Sequence, residues 1–538
     1  MTAKERCLFF YFVIFSIYFY QNFPINELMK GIIIFYSDKD AEFSNEKVFS
    51  GLSAAGLSKK WAENLAMQTF TTDCQTLSQL INFMKDKCQE ASADYVVFSY
   101  QDLPFLDENL TKKMITSHIE YKSEYTFADG YPYGFTPEIL DCGTLGILSE
   151  ILKTSQIELG QKKVTRTCIY DLIKTDINSF EVEAELAPDD WRLYRFAFHC
   201  GSKENFMQSK ALFEKIKDKP DLTSNQKAKI ASTTIECLKT VPAFYNIQIC
   251  DRVRSNYTYL PYKKAYQEKY KLDPKNAASM MNFENFSQLV DEIVQFSQKA
   301  VVSFSSWGEA LLHPSCLEMI EKVLSYKGLS VFIESDGLGV TEEFCDKLKT
   351  IVEKSEERNN GWQKIMFAVS LDAATPETFT KLHEGCQNTD YEKALNAVKM
   401  LENSIPGMVY PQFVRINENE KELESFYRYW NEKSNPSGGN LIIQKYDDFA
   451  GFLPPCKPAD LSPLERNPCW HCRRDFTILS NGDVPSCRAF ILSGKIGNVF
   501  NEPLEEIWHK TDKIIENHIN KIYTDKCERC DEFYTYNF

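Results

Sequence analysis

"PCWHCRRDFTILSNGDVPSCRAF", Pro468 to Phe490, is the stretch from which the rest of the chain is read. Cys469 and Cys472 stand two residues apart, a spacing that lets two thiolates reach one metal centre from a single tight turn. The strand "DFTIL" then leads into Asn481-Gly482, a dipeptide that favours a two-residue hairpin, with Cys487 expected on the returning strand. Further on, "DKCERCDEF" adds Cys527 and Cys530. Four thiolates suit either tetrahedral zinc or a [4Fe–4S] cluster, and the residue types alone do not separate the two.

The bulk numbers set limits on everything upstream. A chain of 538 residues is too long for one hydrophobic core and is expected to form several domains. Its 43% hydrophobic and 25% charged residues are those of an ordinary globular protein. Lys and Arg number 61 against 76 Asp and Glu, a net charge of −15, which argues against a nucleic-acid partner. The 17 cysteines are odd in number and scattered, so a reducing, cytoplasmic setting is expected, with most thiols acting as small buried hydrophobes.

The first 28 residues are a separate question. "CLFFYFVIFSIYFY", Cys7 to Tyr20, is apolar but shorter than the ~20 residues of a membrane span. Three readings stay open: a misassigned start ahead of Met29, a membrane anchor through residues 7–20, or a signal peptide without its small-residue cleavage site. Membrane contact is expected only if this leader is real.

From residue 29 to 241 apolar strands such as "GIIIFYSD" and "DYVVFSYQDLPFL" alternate with amphipathic helices such as "DCQTLSQLINFMKDKCQEA". That rhythm predicts an open α/β sheet with ligand sites beyond the carboxyl ends of its strands, where Asp102 lies. Residues 242–446 repeat the rhythm through "YNIQIC", "AVVSFSS", "LSVFIESDG", "IMFAVSLDA", "VYPQFVRI" and "NLIIQKY". Repeated β/α units of this kind predict a partial (β/α)6 barrel with its site at the carboxyl-terminal rim. Residues 447–538 form a small cysteine-rich end.

Cys469, the "NGDVPSC" hairpin, "IGNVFNEPLEEIW" and Cys527-x-x-Cys530 together resemble the SPASM/twitch auxiliary-cluster domain of radical S-adenosylmethionine (SAM) enzymes. The resemblance implies one [4Fe–4S] cluster on Cys469, Cys487, Cys527 and Cys530, with Cys472 an extra thiol, either a substitute ligand or a spectator. The middle block is similar to the radical SAM core. Trp307-Gly308-Glu309-Ala310 stands where that family has Gly-Gly-Glu-Pro, a turn that implies Gly308 and Glu309 at the amino group of SAM. "FIESDG" resembles the family's Glu-Thr-Asn-Gly strand end, and "VSLDA" its Ser-Leu-Asp-Ala strand, which implies Ser370 and Asp372 facing the pocket.

The defining loop of that core is absent. The family carries Cys-x3-Cys-x2-Cys after the first barrel strand, and here "NIQICDRVRSNYTYLPY", Asn246 to Tyr262, holds only Cys250. Counted from Cys250, the other two positions are Arg254 and Tyr257; counted back from "LPY", the set is Val253, Tyr257 and Leu260. None of these supplies a soft thiolate. The expectation is therefore one auxiliary cluster and no SAM-cleaving cluster, with SAM itself an open question as a cofactor.

The amino-terminal block resembles GT-A nucleotidyltransferases such as cytidylyltransferases for acidic sugars, through "SYQDLPFLDENL", "DGYPYGFTPEIL" and "EVEAELAPDDWRLYRFAF". In them the aspartate at the position of Asp102 helps hold magnesium. The basic, glycine-rich loop after the first strand is missing here, so a structural or sugar-recognition role is expected over catalysis. The order of parts resembles the spiro-SPASM family. Three functions remain: a non-catalytic or partner-dependent iron–sulfur protein, an active radical SAM enzyme modifying a peptide or sugar, and a nucleotide-sugar transferase with a metal-binding tail. The expected partner is a peptide, a sugar or a protein.

Overall fold

The computed structural model describes residues 29–262, 279–304, 307–459, 462–490 and 494–535; the leader, including residues 7–20, lies outside them. Contacts divide the chain into two compact units, Met1–Cys237 and Leu238–Phe538. Among the described residues no helix is long and apolar enough to cross a membrane.

The amino-terminal unit is a mixed sheet of β1 (Gly31–Tyr36), β2 (Gln68–Thr72), β3 (Tyr95–Tyr100), β4 (Tyr125–Asp129), β5 (Glu138–Asp141) and β6 (Val182–Leu186). Its spatial order is β2-β1-β3-β5-β4-β6, with β5 antiparallel to both neighbours and the other pairings parallel. Strand alternation decides which side each residue buries. Ile32, Ile34, Val96 and Phe98 pack against Leu80, Ile81, Met84 and Leu148, whereas Ile33, Phe35 and Val97 pack against Trp61 and Met114 on the other face. Each such side chain contributes about 1.5–3 kcal/mol through burial.

Packing also overturns one expectation about the thiols. The helix Leu77–Ala91 lies against the helix Cys142–Thr154, which brings Cys88 and Cys142 to a Cα separation of 6.1 Å, and the two form a disulfide. The expectation of a chain of reduced thiols fails at this pair because the two helices, distant in sequence, bury their ends together. The remaining described cysteines are free, and Cys168, Cys200, Cys237, Cys250, Cys316 and Cys345 are buried.

The second unit is built on β7 (Phe244–Ile247), β9 (Ala300–Ser303), β10 (Leu329–Ser335), β11 (Ile365–Ser370), β13 (Val409–Arg415), β14 (Ile442–Lys445) and β15 (Asp475–Ile478), with a short pair, β8 (Asn256–Tyr257) and β12 (His383–Glu384), at its rim. The sheet is parallel throughout, in the order β14-β13-β11-β10-β9-β7-β15, and forms a partial barrel. Val302, Val331, Ile333, Phe367 and Val369 face the covering helices, and Phe244, Val301, Phe332, Met366 and Ala368 form a second cluster on the opposite face.

The expected hairpin folds differently. "DFTI" does not ladder with the strand after the turn; it pairs in parallel with β7, from Asp475↔Phe244 to Ile478↔Ile247. β16 (Asp483–Pro485) instead pairs antiparallel with β17 (Lys495–Asn498). The physical reason is the open edge of β7: a buried apolar strand gains a full set of parallel backbone bonds there. The turn itself forms, with Gly482 at φ +82° and its amide donating to the Leu479 carbonyl at 2.8 Å.

Candidate functional site

Three segments bring the tail thiols together. Cys469 caps the short helix Trp470–Arg474, and Cys472 lies one turn further on; both are 8% exposed. Cys487 follows β16, and Cys527 and Cys530 belong to the turn Asp525–Arg529 and its cap. Cys472, acting as a donor, lowers the Cys469 and Cys487 thiols. Burial pushes Cys527 and Cys530 up, and the nearby sulfurs of Cys469 and Cys487 push them further.

Arg488 acts electrostatically on Cys487, and Arg466 on Cys527. Arg473 and Arg474 are buried, and Arg488 sits between Asp447 at 2.8 Å and Glu532 at 3.2 Å. Among the described residues no three His, Cys, Asp or Glu converge closely enough for a single ion. A four-iron cluster makes a different demand, because each thiolate binds its own iron at a separate corner. The donor set is all sulfur, which selects Fe–S or zinc over hard cations, and the neighbouring guanidinium groups favour an anionic centre. These residues fit a [4Fe–4S] cluster. His471 is 5% exposed, with Nδ1 2.6 Å from Asp475 Oδ2 and Nε2 3.1 Å from Thr535 Oγ1. Thr535 lies 64 residues away in sequence, so local polarity was no guide to this burial.

At the carboxyl ends of β9, β10 and β11 the barrel holds a pocket lined by Arg254, Gly308, Glu309, Glu334, Asp336 and Ser370. Asp372 is not part of this lining. It is fully buried at φ +58°, where Tyr259 and His383 bond Oδ2, and the Val414 amide donates to Oδ1 at 2.6 Å. Glu309 accepts from the Ser335 hydroxyl at 2.8 Å and from the Asp336 amide at 2.9 Å. Burial, followed by the Asp336 charge, raises the Glu309 carboxyl to about 8, and burial raises Glu334 to about 7. Gly308 packs so tightly that a Cβ there would meet the Cys250 carbonyl oxygen at 1.7 Å.

The degenerate loop closes over this pocket. The Cys250 sulfur is buried and accepts from the Arg252 amide at 3.4 Å. Arg254 Nη1 lies 3.2 Å from Asp336 Oδ1 and 3.8 Å from Glu309 Oε1. The Tyr257 ring stands 4.5 Å from His383, 5.4 Å from Tyr259 and 6.3 Å from Tyr262, so aromatic side chains fill the space along the loop. These residues do not fit a second cluster. The sequence register identified Arg254 only as a missing cysteine; its ion pairs, and the burial of Glu334 and His383, depend on strands far away in the chain.

In the amino-terminal unit Asp102 sits just beyond β3. Arg166 grips it with two nitrogens, at 3.1 and 2.6 Å, and Tyr133 bonds the same guanidinium at 3.3 Å. Burial works to raise the Asp102 carboxyl, and Arg166 outweighs it and holds the group below its ordinary range. Both carboxylate oxygens are thus engaged by a cation of the chain itself.

Residues 469–531 match the SPASM family, an iron–sulfur cluster-binding domain. An uncharacterised protein of Treponema pallidum (strain Nichols) is 35% identical over 374 residues, 69% of this chain and 98% of that protein. The spore coat polysaccharide biosynthesis protein SpsF of Bacillus subtilis (strain 168) is 27% identical over 125 residues, 23% of this chain and 49% of SpsF, a likeness of the amino-terminal part. Among solved structures, Streptococcus suis SuiB bound to S-adenosylmethionine is 12% identical at a TM-score of 0.40, covering 73% of this chain and 84% of SuiB. The chain belongs to the same family as the Treponema pallidum protein, with the spiro-SPASM build of an SpsF-like amino-terminal part and a carboxyl-terminal iron–sulfur cluster-binding domain.

Proposed function

We propose that this chain is an iron–sulfur protein carrying one auxiliary [4Fe–4S] cluster on Cys469, Cys487, Cys527 and Cys530, without the second cluster that cleaves SAM. When bound, such a cluster supplies one-electron exchange at a potential set by its surroundings. The protein's part is to hold the four thiols, Cys469 buried and Cys487, Cys527 and Cys530 half-buried, and to keep the Arg488 guanidinium beside Cys487.

The observation that carries the reading is Arg254. Where a radical core needs its second thiolate, a guanidinium pairs with Asp336 and Glu309, and Tyr257 stands at the third position. Neither side chain can ligate iron as a thiolate does. The barrel pocket is retained for binding, and a peptide, sugar or protein partner is the proposed occupant. The bidentate Asp102–Arg166 pair supports a recognition or structural role for the amino-terminal unit over magnesium-dependent nucleotidyl transfer.

Anaerobic reconstitution followed by iron and sulfide counting tests the proposal. About four irons per chain are expected for one cluster, and about eight would overturn it.

A further inference from the structure

The tail thiols arrive on three separate segments, carrying Cys469, Cys487, and Cys527 with Cys530. Gathering such segments around a metal costs conformational entropy unless the fold has already ordered them. One polar network joins the residues beside these thiols, and Glu532, two residues after Cys530 and 7% exposed, is its centre. The Glu532 carboxylate pairs with the Lys445 ammonium and accepts from Arg488 at 3.2 Å and from the Thr535 hydroxyl at 2.7 Å. Arg488 directly follows Cys487 and also donates to Asp447 at 2.8 Å. Thr535 Oγ1 stands 3.1 Å from His471 Nε2, on the short helix that Cys469 caps. Main-chain bonds follow the same path. The Glu532 amide donates to the Cys530 sulfur at 3.4 Å, and the Trp470 amide, next to Cys469, donates to the Phe533 carbonyl at 2.8 Å. Lys445 ends β14, so the network also fixes the tail to the barrel sheet.

We propose that Glu532 is a positioning residue, whose carboxylate, through Arg488 and Thr535, holds the Cys469, Cys487 and Cys530 segments together around the metal centre and slows its release. The inference rests on the cluster assignment above and adds to it the residue that assembles the three segments. Partners behind metal ligands orient them, and losing one costs about 10–100-fold in metal affinity.

The test uses reconstituted full-length wild-type, E532Q and E422Q chains, challenged anaerobically with an iron chelator. Bleaching of the cluster's visible absorbance gives the release rate, and electron paramagnetic resonance gives the spectrum of the reduced cluster. E532Q keeps the size of the side chain and the amide bond to Cys530 but removes the charge. It is expected to release iron about 10–100-fold faster than wild type, with an altered spectrum because Arg488 loses a partner beside Cys487. Glu422 accepts from the Ala374 and Thr375 amides at 2.6 and 3.2 Å in the barrel, so E422Q loosens the same unit away from the tail and is expected to match wild type in both readouts. Wild-type release from E532Q overturns the proposal. Faster release with an unchanged spectrum, or equally fast release from E422Q, makes Glu532 a general structural support and does the same. If E532Q does not fold, T535V, which removes only the hydroxyl between Glu532 and His471, decides: faster release with an altered spectrum supports the proposal, and any other result refutes it. A wild-type chain that takes up no cluster refutes the assignment of the centre itself, an outcome distinct from a loaded chain whose variant behaves as wild type.

Discussion

Arg254→Met removes the cation that stands in the degenerate loop while keeping most of its stem. At 3.2 Å from Asp336, the ion pair has a Coulomb energy of about 5 kcal/mol at an effective dielectric near 20. The Arg254 side chain is 26% exposed, so water screens part of this, and Asp336 can take up a proton when its partner is lost. The expected loss is about 2–3 kcal/mol, below the range for breaking a fully buried pair. For a unit of about 300 residues that lowers the midpoint by about 4 °C. Burial raises Asp336 and Glu309, Glu309 to about 8. A carboxyl with a raised folded-state pKa holds its proton where the unfolded chain has lost it, so stability is present at low pH and falls as pH rises through the folded value. Without Arg254 both groups rise further, and the deficit should be larger at pH 8 than at pH 5. Differential scanning of the cluster-loaded protein at the two pH values measures this. An equal deficit at both, or none at pH 8, would refute the argument that Arg254 neutralises these carboxylates.

Three further outcomes follow from contacts of the same kind. Asp102→Asn leaves the partly buried Arg166 guanidinium, 21% exposed, without its bidentate partner and is expected to destabilise the amino-terminal unit by about 2 kcal/mol, read by urea unfolding; an unchanged midpoint would mean that the pair contributes little. Gly308→Ala drives a Cβ against the Cys250 carbonyl, so hydrogen exchange at the Glu309 amide, which bonds the Arg252 carbonyl at 2.7 Å, should rise well above wild type; unchanged protection contradicts the close approach. Cys142→Ser opens the link to Cys88 across 54 residues and is expected to cost about 3 kcal/mol, and the wild-type chain should show a mass two hydrogens lower before reduction than after; no mass change would mean the pair stays reduced.

Much of the barrel was legible because each strand is a short apolar run followed by an amphipathic helix, as in "LSVFIESDG" and "TEEFCDKLKTIVEK", which become β10 and the helix Glu342–Lys354. Glu309 and Ser370, which the family resemblance implied at the pocket, both line it. The family resemblance implied Asp372 toward the pocket, yet its left-handed backbone turns it to Tyr259, His383 and Val414. The parallel pairing of "DFTI" with β7 joins segments more than two hundred residues apart, and no local pattern encodes it. The same holds for the Cys88–Cys142 bond, for the burial of His471 beneath Thr535 and for the acidic partners of Arg254. Pairings made by distant strands and helices were out of reach, whereas residue chemistry at fixed spacing, as in the tail cysteines, was not.

The most direct measurement is the low-temperature electron paramagnetic resonance spectrum of the reduced, reconstituted chain, recorded before and after adding S-adenosylmethionine. The account predicts a single [4Fe–4S] signal that the cofactor leaves unchanged. A second signal that shifts when S-adenosylmethionine is added would contradict it.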